Sequence, residues 1–188
     1  MTYRCKWLEV YKPSQLMTDY HDNEWGKPEH DDQTLFELLM LEIYQAGLSW
    51  QIVLNKRTAF NKQFKKFNPK TVAKMTEVDV ENAMNNENII RNRKKIEATV
   101  NNAQHFLETQ KEFGTFDKYI WSFTGGKIID HKVKDYRSIY LVGQDDLSRL
   151  VSKDLKKRGF SFTGPTVIYS FLQAIGVIND HEINCEFR

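Results

Sequence analysis

The sequence predicts an all-α protein, and three observations carry that prediction. Apolar residues recur at three- and four-residue spacing through most of the chain. Helix-starting and helix-stopping residues bracket those stretches. Only residues 124–143 lack a helical period, and they read as a loop with some strand.

In chain order, Asp31 and Asp32 cap a helix that carries Leu35, Leu38, Leu39, Glu42 and Ala46 on one face. Ser49 opens a second, with Val53, Phe60, Phe64 and Phe67 roughly in phase. Asn68 followed by Pro69 is a start signal, because proline suits the first helical turn. Thr76 opens a short helix bearing Val80 and Met84. Residues 91–112 predict a longer one, with Ile96, Val100, Ala103 and Leu107 as the buried stripe and Gly114 past its end. Leu147, Leu150, Val151 and Leu155 mark a helix ending at Gly159, and a last helix runs from about Pro165 to Ile175 and stops near Gly176. No repeat, low-complexity tract or linker divides the chain, so residues 1–188 are expected to form a single unit.

Composition narrows the function classes. Forty per cent hydrophobic content in 188 residues is enough for a core, and the net charge is only +2. Nucleic-acid binding must therefore come from a local patch rather than a polybasic tail. No apolar run suggests a membrane span, and no charged-then-apolar leader suggests secretion. A cytoplasmic protein is expected, where two free cysteines serve more often as metal ligands or inert core residues than as a disulfide.

Those two cysteines sit one at each end, Cys5 and Cys185, each with a histidine nearby, His21 and His181. His181 and Cys185 are four apart and share a face on a helical turn. Two Cys and two His fill a tetrahedral zinc shell and leave no open position, so the expectation is structural rather than catalytic zinc. The alternative is two buried thiols beside hydrogen-bonding histidines. A staple between the ends would restrict the unfolded chain by roughly 4–5 kcal/mol in the cross-link entropy model. Asp22 and Glu24 read as residues that cap helices or brace His21. His30, His105 and His131 show no partner spacing and read as surface residues.

"LKKRGFSFTGPTVIYSFLQAIG" (155–176) reads as a helix ending in glycine, a tight turn, and a second glycine and proline opening the next helix. Gly159 suits a left-handed cap and Gly164 a close backbone approach. With Lys153, Lys156, Lys157 and Arg158 upstream, the new helix start can receive a phosphate. An ordinary turn with a solvated basic face is the competing reading. Glu42, seven residues after Leu35, falls on an apolar face, where a carboxylate is costly without a partner. Near Trp7, Tyr20, Trp25 and Trp50 it could form a cage for a flat cation; the plainer alternative is a helix-end glutamate beside core aromatics.

The blocks "RCKW" (4–7), "YHDNEWG" (20–26), "LFELLMLEIYQAGLSW" (35–50), "IIRNRKKIEATVNNA" (89–103), the stretch 155–181 and the final Cys185 together resemble the 3-methyladenine DNA glycosylase I family, in order and over nearly the whole chain. Residues 124–145 match poorly. The resemblance implies a helix-hairpin-helix DNA glycosylase fold, with the hairpin at about 146–177, and a zinc ion bound by Cys5, His21, His181 and Cys185. It implies a base pocket in which Glu42 and Tyr20 hydrogen-bond the base and Trp50 and Trp7 stack near it. Met17 stands where the family can place another tyrosine. The hairpin, with Gly159, Phe160, Phe162 and Gly164, would grip the DNA backbone, and Gly47 and Leu48 would press into the gap left by a flipped nucleotide. The implied reaction is hydrolysis of the N-glycosidic bond of 3-methyladenine in alkylated double-stranded DNA. Free 3-methyladenine and an abasic site would be the products. Pro165 and Thr166 stand where bifunctional relatives carry a lysine, which implies no strand cleavage. Asp180 is expected to have a minor or structural role, and the protein is expected to be a monomer.

Overall fold

A computed structural model describes residues 2–10, 13–138 and 143–188. Among them are ten α-helices: α1 (Lys6–Val10), α2 (Gln15–Asn23), α3 (Asp32–Gln45), α4 (Trp50–Gln63), α5 (Pro69–Val72), α6 (Glu77–Met84), α7 (Arg93–Phe113), α8 (Phe116–Ser122), α9 (Asp146–Lys157) and α10 (Pro165–Ala174). A 3-10 turn at Lys65–Phe67 joins α4 to α5. The segment from 124 onward, apart from residues 139–142, which lie outside the described residues, supplies the only strand pairing described. Strand β1 (Ile129–Asp130) lies parallel to β2 (Ile178–Asn179), with Ile129 opposite Ile178 and Asp130 opposite Asn179.

N-cap side chains hold the helix starts, Asn92 and Asp145 among them though the sequence reading did not single these two out. Asp31 accepts from the Thr34 N–H, Asn68 from Thr71, Asn92 from Lys95 and Asp145 from Ser148. Ser49 holds the N-cap position of α4 without a side-chain cap bond. Helix α3 is the axis of the fold, with α4, α7, α8 and α10 packed around it. Every residue from Leu35 to Tyr44 except the half-buried Glu37 is buried, Glu42 included. The core around it is aromatic: Phe36 meets Phe106 at 5.1 Å between ring centroids, and Tyr44 meets Phe60 at 4.4 Å. Truncating one such ring removes contacts worth about 4 kcal/mol.

Two predicted stripes are corrected. On α7, Ile96 and Ala103 are buried as expected, but Val100 and Leu107 are only half-buried. The buried face is rotated toward Thr99, Asn102 and Phe106 because the polar pair bonds inward. Thr99 Oγ1 lies 3.2 Å from Tyr44 Oη, and Asn102 bonds the α9–α10 turn. On α9, Val151 and Leu155 are buried but Leu150 points to solvent. Gly176 (φ +71°) seats the chain after α10 against the Lys27–Pro28 backbone, where a Cβ would lie 2.4 Å from the Lys27 carbonyl carbon. That contact returns the C-terminal segment to α2 and brings the two ends together.

Candidate functional site

Helices α2, α3, α4 and α10 converge on a cavity of about 350 Å³, within the range of small-molecule pockets. Trp7, Tyr20, Trp25, Glu42, Trp50 and Gln173 line it, with Gln45, Gly143, Thr166, Tyr169 and Ser170. All four residues expected at a base site, Glu42, Tyr20, Trp50 and Trp7, therefore meet at one place. Tyr20 and Trp50 pack at 5.1 Å between ring centroids. Met17 is buried beside Tyr20 in the neighbouring apolar cluster and does not line the cavity.

The polar inventory of this cavity is unusual. Tyr20 Oη, Trp7 Nε1 and Trp50 Nε1 are buried with no hydrogen-bond partner among the described residues. Unpaired buried polar atoms are rare in folded proteins and costly, and here three belong to one cavity wall. Glu42 is buried too, and among the described residues no group bonds its carboxylate. Burial alone pushes its pKa up to about 8. Burial also raises the Tyr20 phenol, with Glu42 adding to the rise. The cavity thus holds an uncompensated acid and three spare donors between indole rings. Its chemistry calls for a flat, polar, cationic guest.

Behind one wall lies the Cys/His cluster. Cys5, His21, His181 and Cys185 are all buried, with their ligating atoms within 4.8 Å of one another. The hydrogen bonds around them decide which atoms face the centre. His21 Nδ1 lies 2.7 Å from Asp22 Oδ1, leaving Nε2 toward the Cys185 sulfur. His181 Nε2 donates to the Trp25 carbonyl at 2.9 Å, leaving Nδ1 3.4 Å from both sulfurs. Burial lowers the pKa of His21 and takes His181 to about 4, so both rings are neutral at pH 7, the form that ligates. Soft sulfurs, neutral imidazoles and outer partners for both rings make this donor set fit for a metal ion.

Burial opposes the Asp22 carboxylate, but Arg4 and His21 together hold its pKa below the usual range. Glu24 does not brace His21. It pairs with Arg57 at 2.6 Å, and Arg57 also holds Glu37 on α3. The cluster and the cavity share Trp25, which lines the cavity while its carbonyl anchors His181. Gly26 (φ +73°) permits the approach, since a Cβ there would sit 2.7 Å from the His181 ring.

Two further features stand near the cavity's helices. The α3–α4 turn carries Gly47 (φ +85°) and Leu48, whose side chain is exposed. Beneath it the buried Lys95 Nζ donates to the carbonyls of Tyr44 (3.1 Å) and Ala46 (2.8 Å). The second feature is the α9–α10 turn. Gly159 (φ +95°) is required, as a Cβ would lie 2.5 Å from the His105 ring. Gly164 has nothing within 4 Å of its Cβ direction and an ordinary φ, so internal packing does not demand glycine there. Phe160 is buried in the core and offers no ring to solvent, whereas Phe162 is exposed at φ +60°. That left-handed backbone is strained for an aromatic residue. It is held by Asn102, which accepts from the Ser161 N–H at 2.7 Å and donates to its carbonyl at 3.0 Å. Arg158 is not free for an anion, being bound to Glu112 and Asp154.

Sequence reasoning placed Trp25 among the aromatics of a cage, where the cavity has it, but missed the whole α10 face. Thr166, Tyr169, Ser170 and Gln173 fall at i, i+3, i+4 and i+7, a polar helical stripe that could have been read. It also read His131 as a lone surface residue. His131 is exposed as read, but it is not alone: its Nδ1 lies 2.7 Å from Asp180 Oδ1.

Comparison with known proteins follows this geometry closely. A family model described as methyladenine glycosylase matches residues 9–188. The DNA-3-methyladenine glycosylase of Haemophilus influenzae is 45% identical over 185 residues, spanning 98% of this chain and 97% of that protein. A crystal structure of 3-methyladenine DNA glycosylase I superposes with a TM-score of 0.92 at 41% identity, covering 98% of each chain. A Staphylococcus aureus structure described as the basis of 3-methyladenine recognition by 3-methyladenine DNA glycosylase I gives 0.89 at 40% identity, covering 93% of this chain and 92% of that one.

Proposed function

The chain belongs to the methyladenine glycosylase family, and we propose that it performs base-excision repair, releasing 3-methyladenine from alkylated DNA by hydrolysis. What carries this reading is the cavity itself: a buried carboxyl without a partner and three unpaired donors among indole rings.

A base within a duplex is out of reach, so the nucleotide turns out of the stack into the cavity. N3-methylation makes the purine cationic. The indoles of Trp50 and Trp7 stack near it, and Tyr20 and Glu42 hydrogen-bond it. In the empty cavity burial favours the protonated Glu42. A cation beside it reverses that preference and draws the carboxylate into an ion pair. A neutral adenine offers no such compensation, so the same burial works against undamaged base. When the bond from the sugar C1′ to the purine breaks, its electron pair neutralises the methylated ring. The base leaves neutral without needing a proton. Water adds to C1′ and gives up a proton to solvent, leaving an abasic site. Pro165 and Thr166 replace the lysine that a lyase would need, so no strand cleavage follows.

Residues 146–177 act as a helix-hairpin-helix that grips the DNA backbone through Gly159 to Gly164, Phe162 facing outward and Phe160 serving the core. The open space at Gly164 suits a phosphodiester approach. Leu48, presented by Gly47, fills the gap left by the flipped nucleotide. Cys5, His21, His181 and Cys185 would hold zinc, which when bound supplies a structural tie between the termini and fixes Trp25 against the cavity. The whole chain acts as one unit and as a monomer. No helix among the described residues is long and apolar enough to cross a membrane.

The test is release of bases from methylated duplex DNA by the purified protein, separated by chromatography, with borohydride trapping for a Schiff base. Free 3-methyladenine, no strand breaks and no trapped adduct are expected. Absence of 3-methyladenine from folded protein would overturn the proposal.

A further inference from the structure

Charge and stacking explain why the cavity would take a methylated purine, but not which one. In DNA, 3-methyladenine and 3-methylguanine are both flat cations, so the charge of Glu42 and the faces of the indoles treat them alike. The two differ at one edge: adenine presents an exocyclic amine, a donor, where guanine presents a carbonyl oxygen, an acceptor. Telling them apart needs a polar group of fixed sense. The hydroxyls of Tyr20, Thr166 and Ser170 can donate or accept, so they do not discriminate. Tyr169 Oη is committed to Asp180 at 2.6 Å. Gln45 sits half-buried on the α3–α4 turn, its amide nitrogen bonded to the Leu48 carbonyl.

Gln173 offers this lining a neutral acceptor that is both buried and fixed. Its Nε2 donates to Asp180 Oδ2 at 2.6 Å. Asp180 is itself buried and takes Tyr169 on the same oxygen and His131 on the other, at 2.7 Å. A carboxylate so surrounded is an acceptor. Turning the amide over would set two acceptors 2.6 Å apart, so the orientation is locked. The main chain is pinned as well, because the Gly26 N–H donates to the Gln173 carbonyl at 3.0 Å. The remaining side-chain oxygen, Oε1, has no partner among the described residues, and the residue lines the cavity.

We propose that Gln173, with Asp180 as its positioning residue, is the specificity determinant of the cavity: its Oε1 accepts from an exocyclic amine and rejects a purine carrying a carbonyl oxygen there. This rests on the base-excision reading above and names its substrate preference. A site built to hydrogen-bond one group rejects the analogue that leaves an acceptor facing an acceptor.

The experiment uses the full-length protein and duplex DNA treated with dimethyl sulfate, which supplies both bases. Release of each is followed by chromatography and expressed as a ratio of kcat/KM values. Wild type is expected to favour 3-methyladenine at least tenfold. Gln173→Met, unbranched and of similar size, is expected to lower that ratio by roughly 10- to 100-fold. Asp180→Asn, which lets the amide turn over, is expected to lower it too. Binding of the two free methylated bases, read by tryptophan fluorescence, gives the same comparison should a variant bind but not turn over. A merely destabilised wall would slow both bases together and leave the ratio unchanged. A ratio moved less than twofold by Gln173→Met, or a wild type without preference, overturns the role of Gln173. A wild type that releases no 3-methyladenine overturns the excision reading itself.

Discussion

Glu42→Gln is expected to make the empty protein more stable while removing its function. In the folded state burial holds the Glu42 pKa at about 8, against 4.5 for the free side chain. Below pH 4.5 the carboxyl is protonated in both states and costs nothing. As the pH rises from 4.5 toward 8 the unfolded chain ionises and the folded one does not, so stability falls with pH. It levels off above 8. Between pH 4.5 and 7 the loss, at 1.36 kcal/mol per pH unit, is about 3 kcal/mol. The amide of the variant has no proton to lose and escapes that slope. The assay is urea unfolding of wild type and Glu42→Gln from pH 4.5 to 8.5. The two stabilities should diverge with rising pH by about 3 kcal/mol at pH 7, the variant being the more stable. The variant should also lower kcat/KM for 3-methyladenine release from methylated duplex DNA at least tenfold, because the cationic nucleotide loses its counter-charge. Parallel pH profiles would refute the burial argument. An unchanged kcat/KM would refute the ion pair.

Four further outcomes are expected. Stripping metal with a strong chelator should lower the unfolding free energy by about 4 kcal/mol and change tryptophan fluorescence, because Trp25 anchors His181; calorimetry and emission spectra check both. Gly159→Ala should cost about 2 kcal/mol or more, from its positive φ and the His105 contact. Gly164→Ala should cost only about 1 kcal/mol, as an N-cap change, yet weaken base release from duplex substrate, with free-base binding unchanged; melting curves and kinetics separate the two. Lys95→Met should leave the Tyr44 and Ala46 carbonyls without their buried donor, costing about 2 kcal/mol and loosening the turn that presents Leu48. The drop should appear in kcat/KM on duplex DNA more than in free-base affinity.

The sequence by itself determined α3 to α7, α9 and α10, while α1, α2 and α8 were not read from it. Asp31, Asn68, Asn92 and Asp145 are local signals, since each bonds an N–H three residues ahead. It determined that Glu42 lies on a buried face, because seven residues bring a helix back to the same side. It marked the four soft ligands by their scarcity and chemistry. The tertiary structure decided the rest. Only the folded chain shows that the buried stripe of α7 runs through Thr99 and Asn102, because their partners, Tyr44 and Ser161, come from other elements. Only the return of the chain at Gly176 brings Trp25 against His181 and Gln173 against Asp180. His131 looked unpartnered because its partner is 49 residues away. A periodic pattern reports what a residue does to its own helix. Which polar atoms are satisfied, and which are left open for a guest, depends on groups that meet only after the chain has closed.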